Sequence, residues 1–185
     1  MRFLFVTIIF LTACQNKPKE TESTSVEKTY FDLSKIVQAD IDSNSKNNCG
    51  EEKLINVNNH QEKQTIATVD WTKEMELLLD CDINKPSWKG KFLVDTIWKQ
   101  DTTLLSISYR ALTDKIQVRR MYVQYNNDNQ IANITVNKRI KSFLFSNEQQ
   151  IIYQPTKSFK INSQQKAFYM NDFASEVEVK YLCKN

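Results

Sequence analysis

Ile116-Gln117-Val118-Arg119-Arg120-Met121-Tyr122-Val123-Gln124-Tyr125, followed by Asn126-Asn127-Asp128-Asn129 and then Ala132, Ile134 and Val136, is the stretch that decides the fold. Apolar residues recur every second position, the period of a strand with one buried face. The phase slips once: Ile116 and Val118 share one parity, whereas Met121, Val123 and Tyr125 share the other. A one-residue slip would turn half of these side chains into water unless a β-bulge near Arg119-Arg120 absorbed it. The asparagines that follow tolerate left-handed backbone and bond to their own main chain, so they predict a turn. The next strand then buries Ala132, Ile134 and Val136.

The same period extends in both directions. Upstream, Phe92, Val94 and Trp98 share a face with Thr96, and Leu105, Ile107, Tyr109 and Ala111 share another. Downstream, short strands are expected around Phe143 and Phe145, Ile151 and Tyr153, Phe159 and Ile161, Ala167 to Met170, and Val177, Val179 and Tyr181. Turns are expected at Ser146-Asn147-Glu148, Asn162-Ser163 and Asn171-Asp172. Such short connections suit antiparallel neighbours and cannot hold a crossover helix.

The first half has a different rhythm. Leu33, Ile36, Val37 and Ile41 fall on one helical face, with Asp32 placed to cap it. Asp42 to Asn48 loses both propensity and pattern, so this helix stops before Cys49-Gly50. Glu52 to Val69 reads as a hairpin around the polar Asn58–Lys63 stretch. A second helix is expected from the Asp70 cap through Trp71, Met75, Leu78 and Cys81, with Leu77 flanking and Asn84 and Pro86 ending it. The expected class is α+β, with N-terminal helices packed on a curved antiparallel β-meander.

Composition narrows the function by exclusion. The 185 residues carry a net charge of only +3, which makes no electrostatic case for nucleic acid. Two glycines preclude a glycine-rich nucleotide loop, and a single histidine precludes a multi-histidine metal site. Neither cofactor nor metal is expected.

The start of the chain is more specific. Met1-Arg2 precedes the apolar run Phe3 to Leu11, about nine residues where a bilayer crossing needs roughly 20. Leu11-Thr12-Ala13-Cys14 resembles the lipobox of bacterial lipoproteins, which implies that residues 1–13 are removed and that the Cys14 thiol carries a diacylglyceryl group by thioether linkage. Stable anchoring takes two or more acyl chains. Gln15, where aspartate commonly signals inner-membrane retention, favours the outer membrane, on either its periplasmic or its surface face. Residues 15–28 hold one apolar side chain, Val26, so residues 14–29 read as a lipidated flexible tether; residues 30–185 form a single domain.

Asp70-Trp71 with Glu74, then Asp82-Ile83-Asn84-Lys85-Pro86 with Trp88 and Gly90, and later Tyr153 with Pro155, resemble a family of uncharacterised outer-membrane lipoproteins from Bacteroidota over roughly Phe31 to Tyr181. The resemblance implies a location and a fold type, and no activity. The cysteines depart from its pattern.

Few residues invite chemistry. His60 lies in the most polar stretch of the domain and reads as a solvent-exposed turn residue. Glu51-Glu52, Asp80 with Asp82, and Glu176 with Glu178 are the paired carboxylates, the last on a strand face opposite Val177 and Val179. Arg119, Arg120, Arg139 and Lys141 read as a wet strand face. Trp71 and Trp98 are at core spacing; Trp88, between Pro86 and Gly90, is the weak candidate for ligand contact. Cys81 follows Leu78 by three residues and Cys183 has the parity of Tyr181, so a Cys81–Cys183 disulfide is expected over a Cys49–Cys81 pair. The expected function is a non-enzymatic envelope lipoprotein, a binding or structural module with the membrane as partner through Cys14. The alternatives are a carrier or assembly factor holding a lipid or other apolar ligand between sheet and helices, and a hydrolase.

Overall fold

A computed structural model describes residues 29–98, 104–167 and 170–183. The apolar leader, Cys14 and the tether lie outside the described residues. The chain runs α1 (Leu33–Lys46), β1 (Gly50–Val57), β2 (His60–Ile66), α2 (Trp71–Glu74), α3 (Glu76–Leu79), a 3₁₀ turn (Pro86–Trp88), β3 (Phe92–Trp98), β4 (Leu104–Ala111), β5 (Val118–Tyr125), β6 (Ile131–Lys141), β7 (Phe145–Gln154), β8 (Ser158–Ala167) and β9 (Met170–Leu182). All nine strands join one antiparallel sheet in the order β2-β1-β9-β8-β7-β6-β5-β4-β3. The meander is therefore real from β3 to β9, and the N-terminal hairpin extends it past the last strand. The sheet dominates; the helical part is smaller than the sequence suggests.

Local chemistry explains the elements. Asp32 accepts the Lys35 amide at 3.0 Å and starts α1, which ends where Asn48 turns left-handed at φ 47°. The β1–β2 turn is Asn58-Asn59, with φ 48° and 69°, the positive pair that a two-residue hairpin demands. A side chain at Gly50 would set its Cβ 2.6 Å from the Ile66 carbonyl oxygen, so this first residue of β1 has to be glycine. The expected second helix breaks at Met75 into two single turns, yet Trp71, Met75, Leu78 and Cys81 are all buried as its spacing predicts. The bulge stands where the phase slip put it: register shifts between Val118 and Arg120.

Other expectations are corrected. A second shift between Gln124 and Tyr125 sets Ile131 against the core and leaves Ala132 exposed. Ser146-Asn147-Glu148, Asn162-Ser163 and Asn171-Asp172 lie inside strands β7, β8 and β9. Phe143 is not in a strand at all, since the turn falls on residues 142–144. Polar residues occupy both faces of these strands beyond the helices, where no described element covers the sheet, and so imitate turns. Trp98 and Val94 are 59% and 47% exposed because β3 is an edge strand that the helices leave uncovered at that point.

One face of the sheet and the helices enclose the core, from Leu33, Val37 and Ile41 of α1 to Met121, Val123, Ile134, Val136, Ile151, Tyr153, Phe159 and Val179 of the strands. Asp40 of α1 accepts the Tyr153 hydroxyl at 2.8 Å and the Thr156 amide at 2.7 Å, tying that helix to the β7–β8 turn. Burial pushes the Asp40 carboxyl above its ordinary range, against the lowering pull of those two donors. The Asp82–Pro86 segment is scaffolding. Asn84 accepts the Tyr30 amide and donates to the Phe31 carbonyl, both at 2.9 Å, while Ile83 is fully buried.

The cysteine pairing is a correction. Cys49 and Cys183 form the disulfide, Cα atoms 4.3 Å apart, and Cys81 is a free buried thiol. The reason lies in the register. Gly50 pairs with Leu182 across β1 and β9, so the residues just outside that pair stand opposite each other. Cys81 does point inward, but toward its own helix: its Sγ donates to the Leu77 carbonyl at 3.2 Å.

Candidate functional site

The face of the sheet turned away from the helices carries an ordered row of polar side chains. Asn56 pairs with Glu176, Glu176 with Asn162, Asn162 with Gln150, Gln150 with Asn137, and Asn137 with Arg120. Each residue comes from a successive strand, β1, β9, β8, β7, β6 and β5, so the row runs across the strands. At about 4.8 Å per strand it is roughly 24 Å long. Directly opposite residues share a face, and Gln150 alternates with the buried Ile151, which places the row on the side away from the core. A second row lies beside it: Ala174 with Gln164, Gln164 with Glu148, and Glu148 with Arg139. Asn58 extends this row, exchanging hydrogen bonds with Ala174 at 3.2 and 3.3 Å.

Together these rows floor an open trough of about 980 Å³. Its lining is almost free of apolar side chains, with neutral amides at Asn56, Asn137, Gln150, Asn162 and Gln164 as the commonest group. Both lining carboxylates are engaged by cations: Glu176 by Lys160 at 2.8 Å and Glu148 by Arg139 at 3.5 Å. Arg119, the extra residue of the bulge, is tethered by the Thr113 carbonyl and by Asp114. What this surface offers is hydrogen bonding of both polarities, since each amide donates and accepts.

No protein-family profile, curated protein or solved structure matches the chain.

The residues singled out in the sequence fall elsewhere. His60 is exposed at the start of β2, opposite Val57. Trp88 packs against the core: its ring lies 6.2 Å from Phe92, and the Lys85 ammonium sits 4.8 Å above it. Cys81 has its thiol pushed up to about 11 by burial, far from the nucleophilic range. Among the described residues no group of His, Cys, Asp and Glu converges as a metal site. Of the earlier candidates, Glu176, Arg119, Arg120 and Arg139 belong to the trough or its edge. The amides were missed because neutral outward residues carry no signal until the strand register aligns them.

A second cluster sits on the covered face. Glu51 is 1% exposed, and Lys53 reaches it at 3.1 Å and Glu74 of α2 at 2.7 Å. One Glu51 oxygen, Oε2, is buried without a partner. Burial, then the like charge of Glu74, raises the Glu51 carboxyl above its ordinary 4.5. A raised carboxyl binds its proton more tightly folded than unfolded. Its penalty is fully present above the folded value and is relieved as pH falls toward 4.5. Glu51→Gln should therefore flatten the rise in thermal midpoint that the wild type shows on acidification from neutral pH. An unchanged slope in the variant would assign that rise to Asp40 instead.

Proposed function

We propose that the protein is an envelope lipoprotein, held to the outer membrane through Cys14, whose trough binds an extended hydroxyl-rich ligand without chemical conversion. The amide row carries the reading. Side chains that both donate and accept, repeated strand by strand, match a ligand whose hydroxyls do the same, as those of an oligosaccharide do. Such a chain would lie across the strands. The non-enzymatic reading is supported by the lining of the trough, where neutral amides prevail and the two carboxylates, Glu148 and Glu176, are each ion-paired. A carrier of apolar ligand finds little support: Leu33, Trp71, Met75, Met121, Tyr153 and Phe159 fill the space between sheet and helices, each at most 2% exposed.

The test uses the processed full chain against linear dextrins and soluble cell-wall glycan fragments. Gln150→Ala with Asn162→Ala should weaken binding about tenfold, the worth of two hydrogen bonds near 0.7 kcal/mol each. Folding should be unchanged, since both positions lie on the solvated face. Equal binding by wild type and variant, or no binding of any fragment, would reject the glycan reading. In cells, Cys14→Ser should release the protein from the envelope pellet.

A further inference from the structure

The β6–β7 hairpin ends in a turn of unusual composition. Its closing residues are Ser142 and Phe145: the Ser142 amide donates to the Phe145 carbonyl at 2.8 Å, and the Phe145 amide to Ser142 Oγ at 3.1 Å. Between them stand Phe143 and Leu144, 98% and 59% exposed. Hairpin turns ordinarily use Asn, Asp or Gly at such positions, as this chain does at Asn58-Asn59. Phe145 and Phe173, 38% and 39% exposed, extend the apolar surface behind the tip. Phe145 pairs with Ala167 and Phe173 with Gln165, so both lie at the same end of the sheet.

The surrounding charge is net positive. Residues 139–147 include Arg139 and Lys141 and no acid, while Lys166 of β8, opposite Ser146, is 69% exposed. Arg139 and Lys166 make exposed ion pairs, to Glu148 at 3.5 Å and to Asp172 at 3.9 Å. We infer that Phe143 and Leu144 form a membrane-contact tip, entering the interface of an anionic phospholipid bilayer while Lys141 meets its headgroup phosphates, joined by Arg139 and Lys166 as their exposed ion pairs to Glu148 and Asp172 exchange for phosphate. Apolar insertion and cationic attraction are the two contributions that hold a peripheral element at such a surface. A folded partner fits the shape less well. Two projecting side chains supply a few hundred Å² at most, whereas a stable protein interface takes roughly 800 Å² from each side. The second row of the trough begins three residues from the closing pair of this turn, at Arg139 and Glu148. Insertion would therefore set one end of the trough at the headgroup level.

The experiment compares Leu144→Trp with Asp128→Trp, which marks the exposed β5–β6 turn, each in the processed full chain with vesicles of phosphatidylcholine and phosphatidylglycerol. The Leu144→Trp increment should shift to the blue, and acyl-chain bromines near the headgroups should quench it several-fold more than the Asp128→Trp increment. Replacing phosphatidylglycerol by phosphatidylcholine should reduce that quenching several-fold. Aqueous iodide reaching both positions equally in vesicle-bound protein would overturn the inference, as would protection of Leu144→Trp by self-association without lipid. Phe143→Ser with Leu144→Ser keeps the anchor distinguishable from the tip. If Cys14 is acylated, this double variant still floats with vesicles. If it is not, the wild type floats on its tip and the double variant does not.

Discussion

Cys183→Ser should lower the free energy of unfolding by 3–5 kcal/mol, the largest effect expected of a single exposed side chain in this domain. The bond joins residues 134 apart in sequence, and closing so long a loop in the unfolded chain is worth about 5 kcal/mol in the chain-entropy account. Engineered and native pairs often deliver somewhat less. Urea unfolding of oxidised wild type, reduced wild type and Cys183→Ser measures it, and the last two should agree. A midpoint in the variant equal to that of oxidised wild type would mean that β9 is held by its ladders alone. In the oxidised protein Cys81 should resist alkylation until denaturant is added, because it is fully buried.

Trp71→Ala should cost a further-reaching 3–5 kcal/mol, the usual range for deleting a large buried aromatic. Trp71 is 1% exposed and stacks edge-on against Tyr181 at 4.9 Å. Its indole nitrogen donates to the Cys49 carbonyl at 3.0 Å. Truncation opens a cavity beneath α2 and orphans that carbonyl beside the disulfide. Against a total stability of 5–15 kcal/mol for a domain of this kind, the variant should show a broadened or absent near-ultraviolet dichroism signal at physiological temperature. Trp71→Phe, which keeps most of the volume and loses only the hydrogen bond, should cost about 1–2 kcal/mol. Equal losses in the two variants would place the effect in the hydrogen bond instead of the packing.

Where local chemistry decides structure, this sequence is readable. The caps at Asp32 and Asp70, the α1 face and the slip at Arg119-Arg120 all depend on residues a few positions apart. Where register over long separations decides it, reading fails. Cys49 looks like the tail of a helix until β1 is known to pair with β9, and only then does it stand opposite Cys183. The amide row also depends on register, because Asn137, Gln150, Asn162, Glu176 and the distant Asn56 align only through four ladders. Polar strand residues such as Asn162 and Ser163 mislead for a third reason. Turn propensity presumes that a strand has a face to bury, and past Ile161 no described element covers β8.

The placement of β9 between β1 and β8 has a kinetic side. Synthesis proceeds from the amino terminus, so the β1–β2 hairpin emerges more than a hundred residues before the strand it docks against. A lone two-stranded hairpin is marginal in water, and its remaining edge, with Leu54 and Ile55, stays unpaired until Met170–Leu182 exists. The meander can assemble strand by strand as it appears, but the sheet cannot be completed early. Closure by a distant segment makes the last step slow, as non-local pairing generally is. The sheet thus stays unfinished until β9 is made.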